Sequence, residues 1–184
     1  MTSPDLATTR AEPGPGGARG SGVPGGRRLL LVLAVVTLLL AVAAVVLSLQ
    51  LREQAETDDR RAAALAAARQ SALNLTSIDT REFDEDVRKV LEGATGDFLA
   101  DFQERTKDGE LESVLVENQV VSEGTVIEAG LVRSDETNAT ALVVIDSTVQ
   151  NTASPDGRVN TYRMQLELEL RDGAWRTSTL EFVA

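Results

Sequence analysis

The sequence predicts an α+β domain carried behind one N-terminal transmembrane helix. Three observations carry that expectation. An unbroken apolar stretch runs from Leu29 to Leu49, helical patterns with start and stop signals fill residues 50–119, and period-two alternation takes over after Gln119. Helices followed by a run of strands segregate as helices on one face of an antiparallel sheet. The expected domain therefore packs about three to four helices on a curved antiparallel sheet of about four strands. The expected divisions are a disordered cytoplasmic tail over 1–26, a transmembrane helix over 27–49, a helical stalk and first domain helix over 50–75, and an extracytoplasmic α+β domain over 76–184.

The tail holds four of the five Pro and half of the 14 Gly. With almost no large apolar residue it cannot offset the entropy cost of ordering. It also lacks a clean PxxP pattern with flanking aromatics, so a plain disordered tail is expected rather than a recognition segment.

In "RRLLLVLAVVTLLLAVAAVVLSLQLR" the only polar residues between Leu29 and Leu49 are Thr37 and Ser48. At helical rise this stretch spans about 31 Å, close to the hydrocarbon thickness of a bilayer. Arg27 and Arg28 abut its N-terminal side, whereas Glu53, Glu56, Asp58 and Asp59 follow its C-terminal side. The positive-inside bias places the N-terminus in the cytoplasm and everything after residue 50 outside, in a single-pass plasma-membrane arrangement. A cleaved signal peptide is the competing reading, because Ala41-Val42-Ala43 resembles a cleavage site. The apolar run continues past Ala43, and the segment before it is long, so an uncleaved anchor is expected. The Arg pair also evokes a twin-arginine signal, but the very hydrophobic residues after it fit that poorly.

"RRAAALAAARQSALNL" favours helix by propensity, and Leu65, Ala68, Ala72 and Leu75 give it a thin apolar stripe. A coiled-coil seam through Leu51, Asp58, Leu65 and Ala72 would be poor. In "SIDTREFDEDVRKVLEG", Asp79 is the expected N-cap, Glu82 closes a capping box, and Ile78 staples against Phe83. Phe83, Val87, Val90 and Leu91 mark the buried face, and Gly93 the stop. Thr95 is expected to cap a third helix with Phe98, Leu99 and Phe102 inward. A short fourth helix should form around Leu111, Val114 and Leu115.

The strands are expected at about 120–133, 138–150, 162–171 and 174–183. Gly124 and Gly130 suggest bulges or bends in the first. In the closing hairpin, Met164, Leu166, Leu168 and Leu170 alternate with charged and polar residues, and Asp172-Gly173 is a favoured two-residue loop. That register sets Leu170 against Trp175 and Glu169 against Arg176. Continued unbroken, it would put Leu180 and Phe182 on the polar face. A one-residue bulge near Thr177–Thr179 returns them to the apolar side; otherwise a helix or partner must cover the second face. Trp175 reads as a packing anchor for this sheet.

Composition excludes several chemistries. There is no His and no Cys, which removes the commonest general base, thiolate metal sites and disulfides. The formal net charge is -11, and the part after residue 49 is more acidic still, so nucleic acid is not an expected partner. No phosphate loop, nucleophile elbow or dinucleotide fingerprint is present. Catalytic, cofactor and metal residues are therefore all expected to be none, and no cofactor is expected. "EFDEDV" reads as the solvated side of a helix. Asp97 sits in a first helical turn, where the helix dipole favours its charge. Asp146, between Ile145 and Ser147, would need a partner if buried, and could then act as a base. Bending of the strand toward solvent is the simpler account. Asn74-Leu75-Thr76 and Asn138-Ala139-Thr140 match a short glycosylation pattern with many chance hits.

At "FDEDVRKVLEGATGDFLADFQERT" and "VVSEGTVIEAGLV" the sequence resembles the Mce-associated membrane proteins of actinobacteria. The closing "YRMQLELELRDGAWRTSTLEFV" is similar to that family's end, so the matches cover about residues 60–184. "GATGDF" and the terminal hairpin are the more specific parts. The resemblance implies a single-pass protein whose external domain is a helix-backed sheet like that of the ketosteroid-isomerase-like superfamily, a fold shared by periplasmic domains of type IV secretion assembly proteins. It further implies an accessory role in Mce complexes, which move lipids across the envelope, with Mce subunits as partners. It carries over no catalytic motif.

Three functions remain in view. The leading one is a non-enzymatic accessory or stabilising subunit of an Mce-type lipid import complex. The second is an extracytoplasmic lipid-binding carrier. The third, an isomerase- or dehydratase-like enzyme, needs a carboxylate in an apolar pocket with a donor such as Tyr162 nearby.

Overall fold

The computed structural model describes residues 25–184, so the expected tail falls almost wholly outside the described residues. The chain divides into two compact units, residues 1–48 and 49–184. Helix α1 (Gly25–Thr76) contributes to both. In the first unit, α1 is long and apolar enough to cross a membrane, and that apolar part is not buried against protein. Leu30, Leu38, Leu40 and Leu47 are all more than half exposed, which separates this segment from an ordinary core helix.

The second unit has the α+β architecture expected from the sequence. After α1 come α2 (Phe83–Glu92), α3 (Gly96–Thr106) and α4 (Glu110–Glu117), then β1 (Val121–Ser134), β2 (Asn138–Asn151), β3 (Ser154–Arg171) and β4 (Ala174–Phe182). The strands form one antiparallel sheet in the order β1-β2-β3-β4. One face is apolar. Ala141, Val143 and Ile145 of β2 lie beside Leu166, Met164 and Tyr162 of β3, and Ala129 of β1 extends the row. Against this face lies the last part of α1, through Ala64, Ala68 and Ala72, all fully buried. The buried stripe is thus alanine at i, i+4 and i+8, with Leu65 and Leu73 packed at its margins. Small side chains at this spacing let the helix backbone approach the sheet closely.

The approach is tightest at Gly124, opposite Ser147 in the β1–β2 ladder. A Cβ there would come within 2.3 Å of Thr76 Oγ1 and 3.2 Å of Ile145 Cδ1. Thr76 has little room to yield, since its hydroxyl donates to the Ala72 carbonyl at 2.7 Å and the residue is buried. Gly124→Ala is expected to cost about 1–3 kcal/mol by overpacking. Adding Thr76→Ala should recover part of that loss, measured by urea unfolding of the two variants and their double mutant.

Gly124 therefore marks a close approach, not the bulge anticipated there, and Gly130 is not at a bulge either. The β1 irregularities fall instead between Val126 and Glu128 and between Leu131 and Arg133, so that Ile127 and Val132 are the extra, exposed residues. The closing hairpin follows the expected register. Leu170 pairs with Trp175 and Glu169 with Arg176, and both Asp172 and Gly173 take positive φ, as a two-residue primed turn requires. Between Glu167 and Leu168 the register slips by one, leaving Ser178 as the extra residue. Leu180 then returns to Leu166 and Phe182 to Met164.

Strand β3 begins eight residues before the expected Tyr162. Ser154-Pro155-Asp156-Gly157 has the composition of a turn, yet it is the start of a strand with an irregular register, where Pro can be tolerated. The turn itself is Thr152-Ala153, held by Asn151 Oδ1, which accepts from the amides of Ala153 and Ser154 at 2.9 and 2.8 Å.

The N-terminus of α2 also departs from expectation. The helix starts at Phe83 with Glu82 as N-cap and no side-chain cap. Asp79 is drawn away because its neighbours pair with the β1 edge. Ile78 and Ser122 exchange backbone hydrogen bonds of 3.1 and 2.8 Å, and Asp79 bridges Val121. The cap is replaced by Asp86, which accepts from the Asp79 amide at 2.9 Å and from Lys89 Nζ at 3.0 Å. Asp86 is consequently buried, whereas the sequence pattern had placed it on the solvated side with Asp84 and Glu85. Thr95 is the N-cap of α3 by position, although its hydroxyl makes no cap bond. In α4, Leu111 and Leu115 are half-buried but Val114 is exposed.

The Asp79 carboxylate is solvent-accessible and faces Arg81. The hydrogen bond from that guanidinium, helped by the Arg81 amide, lowers its pKa from 3.8 to about 2. Depression means that its contribution to stability is present above pH 3.8 and disappears as pH falls toward about 2. In an acid titration followed by circular dichroism, the stability difference between wild type and Asp79→Asn should be small at neutral pH. It should close across that interval.

Candidate functional site

The segment Gly93-Ala94-Thr95-Gly96, part of the most specific stretch in the sequence, is locked to the β4 bulge. Thr95 N donates to Thr177 O and Thr177 N to Gly93 O, both at 2.8 Å, and Ala94 bridges Thr177 in parallel. Thr177 is fully buried and its hydroxyl donates to Ser71 Oγ on α1 at 2.9 Å. Gly96 has a φ of +54°, and a Cβ there would sit 3.4 Å from Ser178. This small-residue turn thus joins α2, α3, α1 and β4, with no titratable side chain at the junction itself.

The acidic candidates do not converge. Asp146 lies on the face of β2 opposite Ile145 and Ser147, half-buried, and accepts a 2.6 Å hydrogen bond from Thr161 Oγ1 across the ladder to β3. Asp97 is exposed in the first turn of α3. Tyr162 faces the other side of the sheet from Asp146, beside Ile145. A carboxylate and a phenol in one apolar pocket, the arrangement an isomerase-type site requires, is not formed by these residues. No group of three or more metal-ligating side chains occurs among the described residues. Trp175 is partly buried and packs on the main core. Asn74 of one short glycosylation pattern is engaged, donating to Lys89 O and accepting from Gln70. Asn138 of the other opens β2 just after the β1–β2 turn, bonded to Asp135.

Asp135 organises that turn. Its carboxylate accepts from the amides of Thr137 at 2.9 Å and Asn138 at 2.7 Å. These amides hold its pKa below the ordinary carboxylate value. Beside it, a polar hollow of about 300 Å³ holds Arg133, Glu167 and Glu169. Its charges are mutually satisfied: Arg133 pairs with Glu167 at 3.4 Å and Glu169 with Arg171 at 2.5 Å. A wider hollow along Gln50, Gln54, Asp58 and Arg61 is only the exposed side of α1.

The helix layer itself is well filled: the void among Ile78, Phe83, Val87, Val90 and Phe102 measures about 10 Å³. The concave apolar feature lies elsewhere, at the end of the inner sheet face beyond the last turn of α1. There Leu75, Ile78, Leu115 and Val120 face Val149, Tyr162 and Phe182 around about 240 Å³. Tyr162 and Phe182 are in ring contact, with centroids 5.7 Å apart. Three hydroxyls also border this hollow, and each is engaged inward. Thr76 donates to Ala72 O, Ser147 Oγ to Thr76 O at 3.1 Å, and Ser122 Oγ accepts from Ile78 N at 3.0 Å. The hollow was missed in the sequence because four strands and α4 must converge to make it. The only local signal was the bulge that turns Phe182 back toward Tyr162.

By architecture this is a helix-backed, four-stranded antiparallel α+β domain. It superposes on an IcmL-like type IV secretion system protein from Legionella pneumophila subsp. pneumophila strain Philadelphia 1 with a TM-score of 0.56 and 13% identity, over 67% of this chain and 91% of that one. The periplasmic domain of DotI gives 0.53 at 10% identity over 65% and 91% of the two chains, and a periplasmic fragment of TraM 0.52 at 9% over 65% and 93%. At such identities the likeness is one of fold. The particular family is shown by sequence: residues 28–184 match the model described as "Uncharacterized protein Rv1363c/MT1408-like", and the chain belongs to that family. Within it, Rv1363c of Mycobacterium tuberculosis (strain ATCC 25618 / H37Rv) is 34% identical over 134 residues, 73% of this chain. The match spans 51% of that relative's length.

Proposed function

We propose that the chain is a single-pass envelope protein, N-terminus in the cytoplasm, whose external domain is a non-enzymatic accessory or stabilising subunit of an Mce-type lipid import complex. The observation that carries the accessory reading is the pairing of one membrane-length apolar helix with a fold shared by an IcmL-like type IV secretion system protein and the periplasmic domain of DotI. The scattered carboxylates and the filled helix layer fit a domain that works by contact. The orientation rests on Arg27 and Arg28 before the apolar run and the acidic residues after it. The assignment to Mce systems rests on the sequence resemblance.

The test is co-purification of the full-length protein from its own membranes in mild detergent, with mass spectrometry of the proteins recovered. Recovery with Mce subunits supports the whole reading. Recovery with a different envelope assembly removes the Mce assignment and keeps the accessory role. Recovery alone at every detergent strength overturns both.

A further inference from the structure

We propose that the hollow bordered by Leu115, Val149, Tyr162 and Phe182 binds a stretch of uncharged hydrocarbon chain ending in a single oxygen acceptor. The inference goes beyond the accessory reading and does not depend on it. Four properties of the lining choose this occupant. Among the described residues no charged side chain borders the hollow, so they offer no counter-ion to an ionic head group, and a net charge of -11 disfavours an anion further. Its Ser and Thr hydroxyls are already engaged within the fold. The Tyr162 hydroxyl has no hydrogen-bond partner among the described residues, which leaves one phenol for a ligand oxygen.

The fourth property argues against a peptide strand. An extended peptide docks by pairing with free main-chain groups. Here the β1 edge at Val120–Ser122, which borders the hollow, is already paired with Ile78–Thr80. The side chains of the lining then offer apolar surface and a single donor, which suits an aliphatic chain. The volume sets the extent of the occupant. About 240 Å³ is below the ~300–1,000 Å³ that encloses a whole drug-sized ligand, yet above the ~150 Å³ apolar cavity that already holds benzene. The hollow therefore takes part of a chain and leaves the remainder in solvent or lipid.

The experiment uses the full-length protein in phosphatidylcholine nanodiscs with a diazirine-bearing long-chain alcohol, and labelled residues are mapped by mass spectrometry. The apolar part of α1 is expected to label in every case and serves as the internal reference. The proposal expects further labels on the segments carrying Leu115, Val149 and Tyr162, falling about tenfold in Val149→Trp and in Leu115→Trp. These variants fill the hollow from β2 and from α4 respectively. Because α4 has no fully buried residue, Leu115→Trp decides the matter if Val149→Trp disturbs folding by circular dichroism. Tyr162→Phe should make the alcohol label no better than the same probe with its hydroxyl replaced by hydrogen. Labels confined to α1, or external labels unchanged in the folded Trp variants, would overturn the proposal. So would a photoreactive residue at position 149 that cross-links another polypeptide and no lipid in native membranes, since the hollow would then seat a partner side chain.

Discussion

Leu166→Ala is expected to lower the unfolding free energy of the external domain by about 2–5 kcal/mol. Leu166 is completely buried at the middle of the inner face, with Ala141 on one side and Leu180 on the other. Its truncation removes apolar contact and leaves a cavity under a helix that cannot settle into it. The facing residues of α1 are alanines, whose side chains are too short to reach across, and the helix is already in close contact with the sheet at Gly124. Leu142→Ala is the matched control, because Leu142 is on the outer face and 42% exposed. It should cost well under half as much. Urea unfolding of the full chain in detergent, followed through Trp175, measures both; equal losses would mean that the inner face is not the main core.

Deletion of Ser178 is the second large effect. Without the extra residue, the part of β4 beyond Thr177 must slip by one position, which exchanges inward and outward side chains. Leu180 would leave its place beside Leu166, forfeiting about 1.5–3 kcal/mol of burial. The alternative is to move the slip to the other side and displace Thr177, breaking its backbone bonds to Gly93 and Thr95 and its hydroxyl contact with Ser71. Either route costs several interactions at once. Ser178→Ala keeps the residue count and loses only the 3.2 Å bond to Glu167 O, so it should be mild. A deletion as mild as the alanine variant would show that the bulge does not set the register.

The contrast also explains which parts of the fold could be read in advance. The bulge was legible because alternation is strict on both sides of it: Leu180 and Phe182 are out of step with Trp175 by one residue, and only an insertion reconciles them. The Asp172-Gly173 turn was legible because both residues accept positive φ. The start of α2 was not, because Asp79 and Glu82 satisfy a local rule that a distant strand overrides. The partner at Val121 lies far along the chain, and nothing near Asp79 announces it. Gly124 misled for a related reason. A glycine in a strand signals either an irregular backbone or a close neighbour, and the neighbour here is Thr76 on another element. For the candidate site, the sequence made plain that it contains no His and no Cys. The bend that would have turned Asp146 to solvent, by contrast, is replaced by simple alternation, with Asp146 half-buried on the outer face and bonded to Thr161. The apolar hollow depends on residues from α1, α4 and all four strands or their ends, so the bulge that turns Phe182 back toward Tyr162 could not reveal it alone.

One stretch of chain, from Ile78 to Thr95, covers a segment of each margin of the sheet: its beginning pairs beside β1 at Val120–Ser122, and its end beside β4 at Thr177. Open margins are where one sheet recruits another molecule's strand and begins to aggregate. Where a single connector guards a segment of each, the hazard there becomes a question of local opening. Self-association through these shielded segments is limited by how often the connector lifts away, while the core beneath it is still intact. Slow amide exchange at Ser122 and Thr177, set against the onset of aggregation, would gauge that protection directly.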